Sequence, residues 1–319
     1  MKDDLLLSKV RGALFGVCAG DSLGLPVQFL SREEVRRDPV TGMRGHGTFG
    51  LPPGTWSDDS SLTFCLAESL CAGYDLDDIA RRFLRWYRDG YWTPFGQAFD
   101  IGNSTHRAME RLMLGAGPDS SGDRDEMSNG NGSLMRSIPL AFHTASLDID
   151  ARFRIVHEVS AITHAHPRAM AACGIYVQIA VNILGGAEPR QAVEAAGKTV
   201  KSVYRQEPFN GELRHFSRIL DGDISLIDEN DIRSSGYAVH TLEASLWCLL
   251  NENSYAATVL RSVDLGGDTD TTGAVAGGLA GLYYGFESIP EEWIDELQKK
   301  EDIYDLACRI ERAVSGGTA

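Results

Sequence analysis

Two aspartate pairs, more than two hundred residues apart, carry the clearest chemical signal in the chain. The first lies in Thr55-Trp56-Ser57-Asp58-Asp59-Ser60, directly ahead of the apolar-periodic run SLTFCLAESL. Ser57 reads as a helix N-cap, which places Asp58 and Asp59 in the first turn. Acids there complement the helix dipole. Adjacent carboxylates beside a hydroxyl, at the mouth of a Gly/Pro-rich loop, also offer hard oxygen ligands to Mg²⁺ or Mn²⁺. The second pair, Asp268 and Asp270, sits in Leu265-Gly266-Gly267-Asp268-Thr269-Asp270-Thr271-Thr272. Carboxylates at i and i+2 with a hydroxyl alongside suit a cation held by a turn, or a capped helix start after a glycine turn. Gly266 and Gly267 remove side-chain bulk where a ligand or metal would approach. Taken together, the pairs read as two halves of one two-metal site of the kind that activates a bridging water.

Three other segments could carry chemistry. Ser128-Asn129-Gly130-Asn131-Gly132-Ser133-Leu134-Met135-Arg136 permits left-handed backbone, so it can form an amide nest for phosphate or a simple Asn-Gly turn. It is neither a GxGxxG nor a P-loop. Thr163-His164-Ala165-His166-Pro167 has two histidines at i and i+2, but nothing at familiar spacing completes a tetrahedral zinc set. A ligand-contacting histidine at a helix boundary is the favoured reading. In Gly20-Asp21-Ser22-Leu23-Gly24-Leu25-Pro26-Val27-Gln28-Phe29, Asp21 stands alone among uncharged residues and needs a partner if buried. A metal-water network and a cap for a neighbouring loop both meet that need.

The elements that must position these residues are helices. Leu6, Val10, Ala13, Leu14 and Val17 recur at helical spacing, as do Leu62, Cys65, Leu66 and Leu70. Ile79, Phe83, Leu84 and Trp86 continue the pattern, with Asp75 ahead of LDDIARRFLRWY. Further helices are expected near 104–114, 151–162, 167–184, 189–204, 237–250 and 290–313, with Asp150 ahead of ARFRIVHEV and Pro290 at a first helical position. Strand-like alternation is scarce, so the expected fold is all-α. Gly273, Gly277, Gly281 and Gly285 form a stripe, one every four residues, that demands close approach of another backbone. Residues 38–57, 115–132 and 205–236 read as irregular, the second as a loop that is mobile or disordered. No internal repeat or linker divides the chain, so 1–319 is expected to form one domain, against the length prior of about two.

Composition narrows the partners. The 319 residues are 43% hydrophobic and 24% charged, with 30 basic against 45 acidic residues and a formal charge of -15. That balance argues against nucleic acid or an anionic membrane as partner. The six scattered cysteines contain no CxxC pair and read as small buried hydrophobes. The N-terminus lacks the pattern of a signal peptide, no run reaches 18 uninterrupted apolar residues, and a cytoplasmic monomer is expected.

In chain order, GALFGVCAGDSLGLPVQF, GTWSDDSSLTFCLAESL, NGNGSLMRSIPLAF, ITHAHPRA and LGGDTDTTGAVAGGLAGLYYG resemble the ADP-ribosylglycohydrolase family, over residues 12 to 285. The resemblance implies a compact all-α fold with two divalent ions, Mg²⁺ or Mn²⁺, at the base of a cleft. It implies that Ser57, Asp58 and Asp59 ligate one ion, Asp268 and Thr271 the other, and that Asp270 lies between them. Gly130, Asn131, Gly132 and Ser133 would face the diphosphate and ribose of ADP-ribose, with His164 lining the same cleft. The implied activity is hydrolysis of the bond between ADP-ribose and a modified target, most readily arginine. One departure stands out: many relatives carry glutamate where this chain has Gln28. Glutamine orients a water but cannot accept its proton, so the base role would fall to a carboxylate such as Asp59 or Asp268. A catalytically weak or inactive ADP-ribose-binding or structural member of the family and a two-metal nucleotide phosphohydrolase are the alternatives. Asp125 and Glu126 are candidates for holding an arginine guanidinium.

Overall fold

The computed structural model describes residues 2–316. Its helices are α1 (Lys2–Gly24), α2 (Arg32–Arg37), α3 (Asp58–Leu70), α4 (Leu76–Asp89), α5 (Asn103–Met113), α6 (Pro139–Thr144), α7 (Ile149–Ala161) and α8 (Pro167–Leu184). They continue as α9 (Pro189–Val203), α10 (Ser217–Leu220), α11 (Ala238–Asn251), α12 (Tyr255–Asp264), α13 (Thr269–Tyr284), α14 (Glu291–Glu296) and α15 (Lys300–Gly316). Among the described residues there is no strand, only isolated bridges between loops. The fold is all-α, as the periodicity predicts.

At the centre α1 lies against α13. The glycine stripe of α13 meets a matching stripe on α1 formed by Gly12, Gly16, Gly20 and Gly24. A methyl group on Gly12 would sit 2.1 Å from the Gly281 carbonyl oxygen, on Gly16 2.3 Å from that of Gly277, and on Gly20 2.1 Å from that of Gly273. Neither helix can accept even alanine here without moving apart, so the two backbones are in contact along their length. Buried tyrosines close the seam, Tyr255 donating to the Gly16 carbonyl at 2.9 Å and Tyr176 to that of Val275 at 3.1 Å. At the seam's end a Cβ on Gly24 would lie 2.4 Å from the Asp270 nitrogen. The packing therefore sets the end of α1, and Asp21 on it, directly against the start of α13.

A continuous apolar core surrounds this pair. The α8 window is long and apolar enough by composition to cross a membrane, and 72% of it is buried inside the fold. Some boundaries differ from those the sequence suggests. Asp148, not Asp150, caps α7, accepting from the Ala151 nitrogen. The stretch 290–313 divides into α14 and α15, with Lys299 between them at φ 49°. The loop 115–132 is not loose: Asp123 pairs with Arg107 and Arg111, its backbone bridges to His164, and Gly130 bridges to Tyr237. All six cysteines are free.

Candidate active site

The N-terminus of α3 forms as the sequence predicts. Ser57 caps it, its hydroxyl accepting from the Asp59 nitrogen at 3.2 Å. What holds this turn is Asp21. Its carboxylate accepts from the Ser57 nitrogen at 3.0 Å, the Ser60 nitrogen at 3.1 Å and the Ser60 hydroxyl at 2.6 Å. The structure shows Asp21 capping a neighbouring loop, one of the two roles open to it, and also places it beside the acids of the site. An oxygen each of Asp21, Asp59 and Asp270 lies within 4.8 Å of the others, and Asp21 Oδ1, which accepts only from the Ser57 nitrogen, keeps acceptor capacity towards that group.

Asp59 and Asp270 are different. Asp59 Oδ2 accepts from Ser57 at 2.9 Å and from Thr271 at 3.4 Å, while its Oδ1 is buried with no partner. Asp270 Oδ1 accepts from the Thr271 nitrogen at 2.8 Å, and its Oδ2 is likewise orphaned. The sequence pairs thus meet: Ser57, Asp58, Asp59, Asp270 and Thr271 are buried, and the half-buried Asp268 lines the cleft beside Asp58 and Thr271. Gly266 and Gly267 have a different reason than ligand access. Both sit at positive φ, and a Cβ would strike the Arg32 nitrogen at 2.5 Å and the Ser234 carbonyl oxygen at 2.3 Å respectively.

Above these acids opens a cleft of about 420 Å³, lined by Gln28, Asp58, Asp100, Gly130, Asn131, Gly132, His164, Asp268 and Thr271 among others. A cleft of this size suits a small-molecule ligand. Asn131 holds the floor, its amide donating to Asp268 Oδ2 at 2.6 Å and to the Thr241 hydroxyl at 2.9 Å. Its backbone nitrogen is taken by the Gly236 carbonyl at 3.0 Å. The amides of Gly130, Gly132 and Ser133 have no hydrogen-bond acceptor among the described residues. The Ser133 hydroxyl departs from its expected place on the substrate. It lies 2.9 Å from Ser160 Oγ and 3.4 Å from Cys173 Sγ, turned into the core. Asp125 and Glu126 also fall outside the cleft: Glu126 pairs with Arg168 at 2.7 Å and with His166 at 3.3 Å.

Asp100 was not legible from the sequence. It lines the cleft at φ 56°, a left-handed conformation that aspartate tolerates better than most residues. Gln28 donates to its Oδ2 at 3.0 Å, and the other amide atom of Gln28, Oε1, is a further buried orphan. Nothing in FGQAFDIG pairs Asp100 with another ligand type, so only the fold reveals it.

Burial raises every one of these carboxyls above the ordinary range, and neighbouring acids push Asp58, Asp59, Asp268 and Asp270 further. Asp58 is pushed well up by desolvation and then by Asp59, Asp100, Asp21 and Asp268. Asp59 and Asp270 follow, desolvation first and neighbouring acids second. Asp100 and Asp268 are raised by desolvation against opposing hydrogen bonds. Buried acids at this density require protons or cations. Orphaned oxygens on Asp59, Asp270 and Gln28, with hydroxyls beside them, form an all-oxygen donor set. Hard divalent cations fit it.

Fold and site together define an all-helical enzyme with a cation-type carboxylate floor beneath a glycine-rich wall. A model of the family described as ADP-ribosylglycohydrolase matches residues 1–318, and the chain belongs to that family. It is 33% identical over 308 residues to the ADP-ribosylarginine hydrolase Tri1 of Serratia proteamaculans, covering 94% of this chain and 78% of that protein. It is 30% identical over 301 residues to the ADP-ribosyl-[dinitrogen reductase] glycohydrolase of Rhodospirillum rubrum, covering 92% and 91% of the two chains. A solved structure described as an ADP-ribosylglycohydrolase-related protein complex superposes with a TM-score of 0.80 at 33% identity, over 98% of this chain and 99% of that one.

Proposed function

We propose that this hydrolase releases ADP-ribose from modified arginine in a reaction that depends on divalent cations. The observation that carries the reading is the buried acid cluster with orphaned oxygens directly under a cleft whose wall presents free glycine amides. The names of similar proteins from Serratia and Pseudomonas support arginine as the linkage.

Two divalent ions, Mg²⁺ or Mn²⁺, would be held by Asp58, Asp59, Asp268 and Asp270 with the hydroxyls of Ser57 and Thr271. Bound there, they neutralise the acids, orient sugar hydroxyls and lower the pKa of water. The chain's own groups do the rest. Amides of Gly130 and Gly132 suit diphosphate oxygens, since a nest of N–H groups binds anions in an otherwise acidic protein. Cleavage of the glycosidic bond needs a hydroxyl delivered to the anomeric carbon and a proton delivered to the leaving nitrogen. Asp100 is placed to hold that proton: its carboxyl faces the cleft and burial raises its affinity for one. Gln28 fixes that carboxyl and presents Oε1 to the site. Asp59 and Asp268 remain the carboxylates that could take the water's proton. Because a carboxyl stands against Gln28, the missing glutamate does not by itself argue for an inactive binding protein.

Incubation with an ADP-ribosylated arginine peptide and Mg²⁺ or Mn²⁺ is expected to release free ADP-ribose. Release of inorganic phosphate or AMP in its place would favour a phosphohydrolase. Tight binding of ADP-ribose without turnover would favour a binding protein.

A further inference from the structure

We propose that Arg136 and Thr163 are positioning residues that lock His164 in one tautomer, so that the cleft meets an imidazole whose Nε2–H donates and cannot accept. The proposal rests on the cleft being the ADP-ribose site, and it follows from an accounting of protons. Arg136 is fully buried, and among the described residues no carboxylate lies within ion-pair distance of it. Its guanidinium donates to the Gly132 carbonyl at 2.6 Å, to the Val159 carbonyl at 3.3 Å and to the Thr163 hydroxyl at 2.8 Å. Its face rests on the Phe83 ring at 4.7 Å.

A guanidinium has no acceptor, so Thr163 Oγ1 must accept from it. The hydroxyl then has one proton to place, and His164 Nδ1 lies 2.8 Å away. No other acceptor for it is found among the described residues. Nδ1 is therefore the acceptor, and the ring proton resides on Nε2. That nitrogen points to the glycine wall: a Cβ on Gly130 or on Gly132 would lie 3.4 Å from it. It has no hydrogen-bond partner among the described residues, although the residue is only 3% exposed. Burial, together with the charges of Arg136 and Arg107, keeps the ring neutral by lowering its pKa to about 3. The cleft thus holds an uncharged, single-polarity donor suited to a lone pair on a ribose or phosphate oxygen. One guanidinium sets both this ring and the Gly132 carbonyl, tying the two sides of the substrate wall together.

Nitrogen-15 NMR of the ligand-free protein, with the His164 signal assigned through His164→Gln, tests this directly. The expected spectrum shows a protonated, pyrrole-type Nε2 and a hydrogen-bonded, pyridine-type Nδ1. Thr163→Val, isosteric but without the hydroxyl, is expected to give mixed tautomers and to raise KM about three- to tenfold, the effect of one hydrogen bond. kcat should change less than twofold, and Thr163→Ser should restore both readouts. An Nδ1–H tautomer in the unmodified protein, or an unchanged tautomer in Thr163→Val, would overturn the proposal. The spectrum needs no substrate, so a failure of the proposed activity is seen separately.

Discussion

Asp100 combines a left-handed backbone, a cleft-facing carboxyl and a tether to Gln28. Asparagine tolerates the same backbone, so Asp100→Asn should fold normally while losing the proton. We expect kcat to fall by on the order of a hundredfold or more, the usual weight of a general acid or base, with KM little changed. Steady-state kinetics checks this, and an undiminished kcat would remove Asp100 from the proton-transfer step. The contrast with the aspartate pairs shows what local sequence can reveal. Asp58, Asp59, Asp268 and Asp270 stand beside hydroxyls and glycines, so their chemistry shows in a window of six residues. Asp100 has only Phe99, Ile101 and Gly102 around it, and its partners Gln28, just past the end of α1, and Asp270, in the first turn of α13, are distant in sequence. Ser133 fails for the reverse reason: its motif is local, but Ser160 and Cys173 draw its hydroxyl into the core.

The helices impose the next constraint. The α13 glycine stripe was legible, and its partner stripe on α1 was hidden inside an apolar helix whose hydrophobic spacing dominates. Replacing Gly277 by alanine gains up to about 1 kcal/mol of helix propensity. It would also place a methyl 2.2 Å from the Gly16 carbonyl oxygen, and overpacking of that kind costs about 1–3 kcal/mol or more. Gly197 of α9 has ordinary contacts, the nearest at 3.8 Å. Gly277→Ala should therefore lower stability and Gly197→Ala should raise it slightly, as measured by urea unfolding. Equal effects of the two would contradict the close seam. A second prediction concerns α7, where burial lowers the His157 pKa from 6.5 to about 4. Its Nε2 lies 2.7 Å from the Tyr204 hydroxyl. The unfolded chain binds this proton first, so stability is complete above about pH 6.5 and declines as the pH falls towards 4. A tenfold difference in proton affinity between the folded and unfolded chain is worth about 1.4 kcal/mol, so the loss approaches about 3 kcal/mol. His157→Gln should flatten that acid limb, and an unchanged limb would assign it elsewhere.

For the whole molecule, the formal charge of -15 argues against polyanionic partners. The fold gives part of that charge a place: it gathers six of the acids around one floor, Asp21, Asp58, Asp59 and Asp270 buried and Asp100 and Asp268 half-buried, where bound cations would stabilise the native state. A ligand at a hundred times its Kd stabilises the state that binds it by about 2.7 kcal/mol. Mn²⁺ or Mg²⁺ should accordingly raise Tm by several degrees, and Asp270→Ala should abolish the rise. An equal rise in that variant would place the binding elsewhere. Helical class and metal-type acids were readable because periodicity and paired ligands are local patterns. The α1–α13 seam and the Arg136–Thr163–His164 relay were not, since each depends on distances set only by packing. The decisive assay for the proposed activity is release of ADP-ribose from a panel of arginine, serine, nucleic-acid and O-acetyl linkages, with and without chelator. Turnover of the arginine linkage is expected with Mg²⁺ or Mn²⁺, and none with chelator. Chelator-insensitive release, or no release from any linkage, would contradict a cation-dependent ADP-ribosylarginine hydrolase.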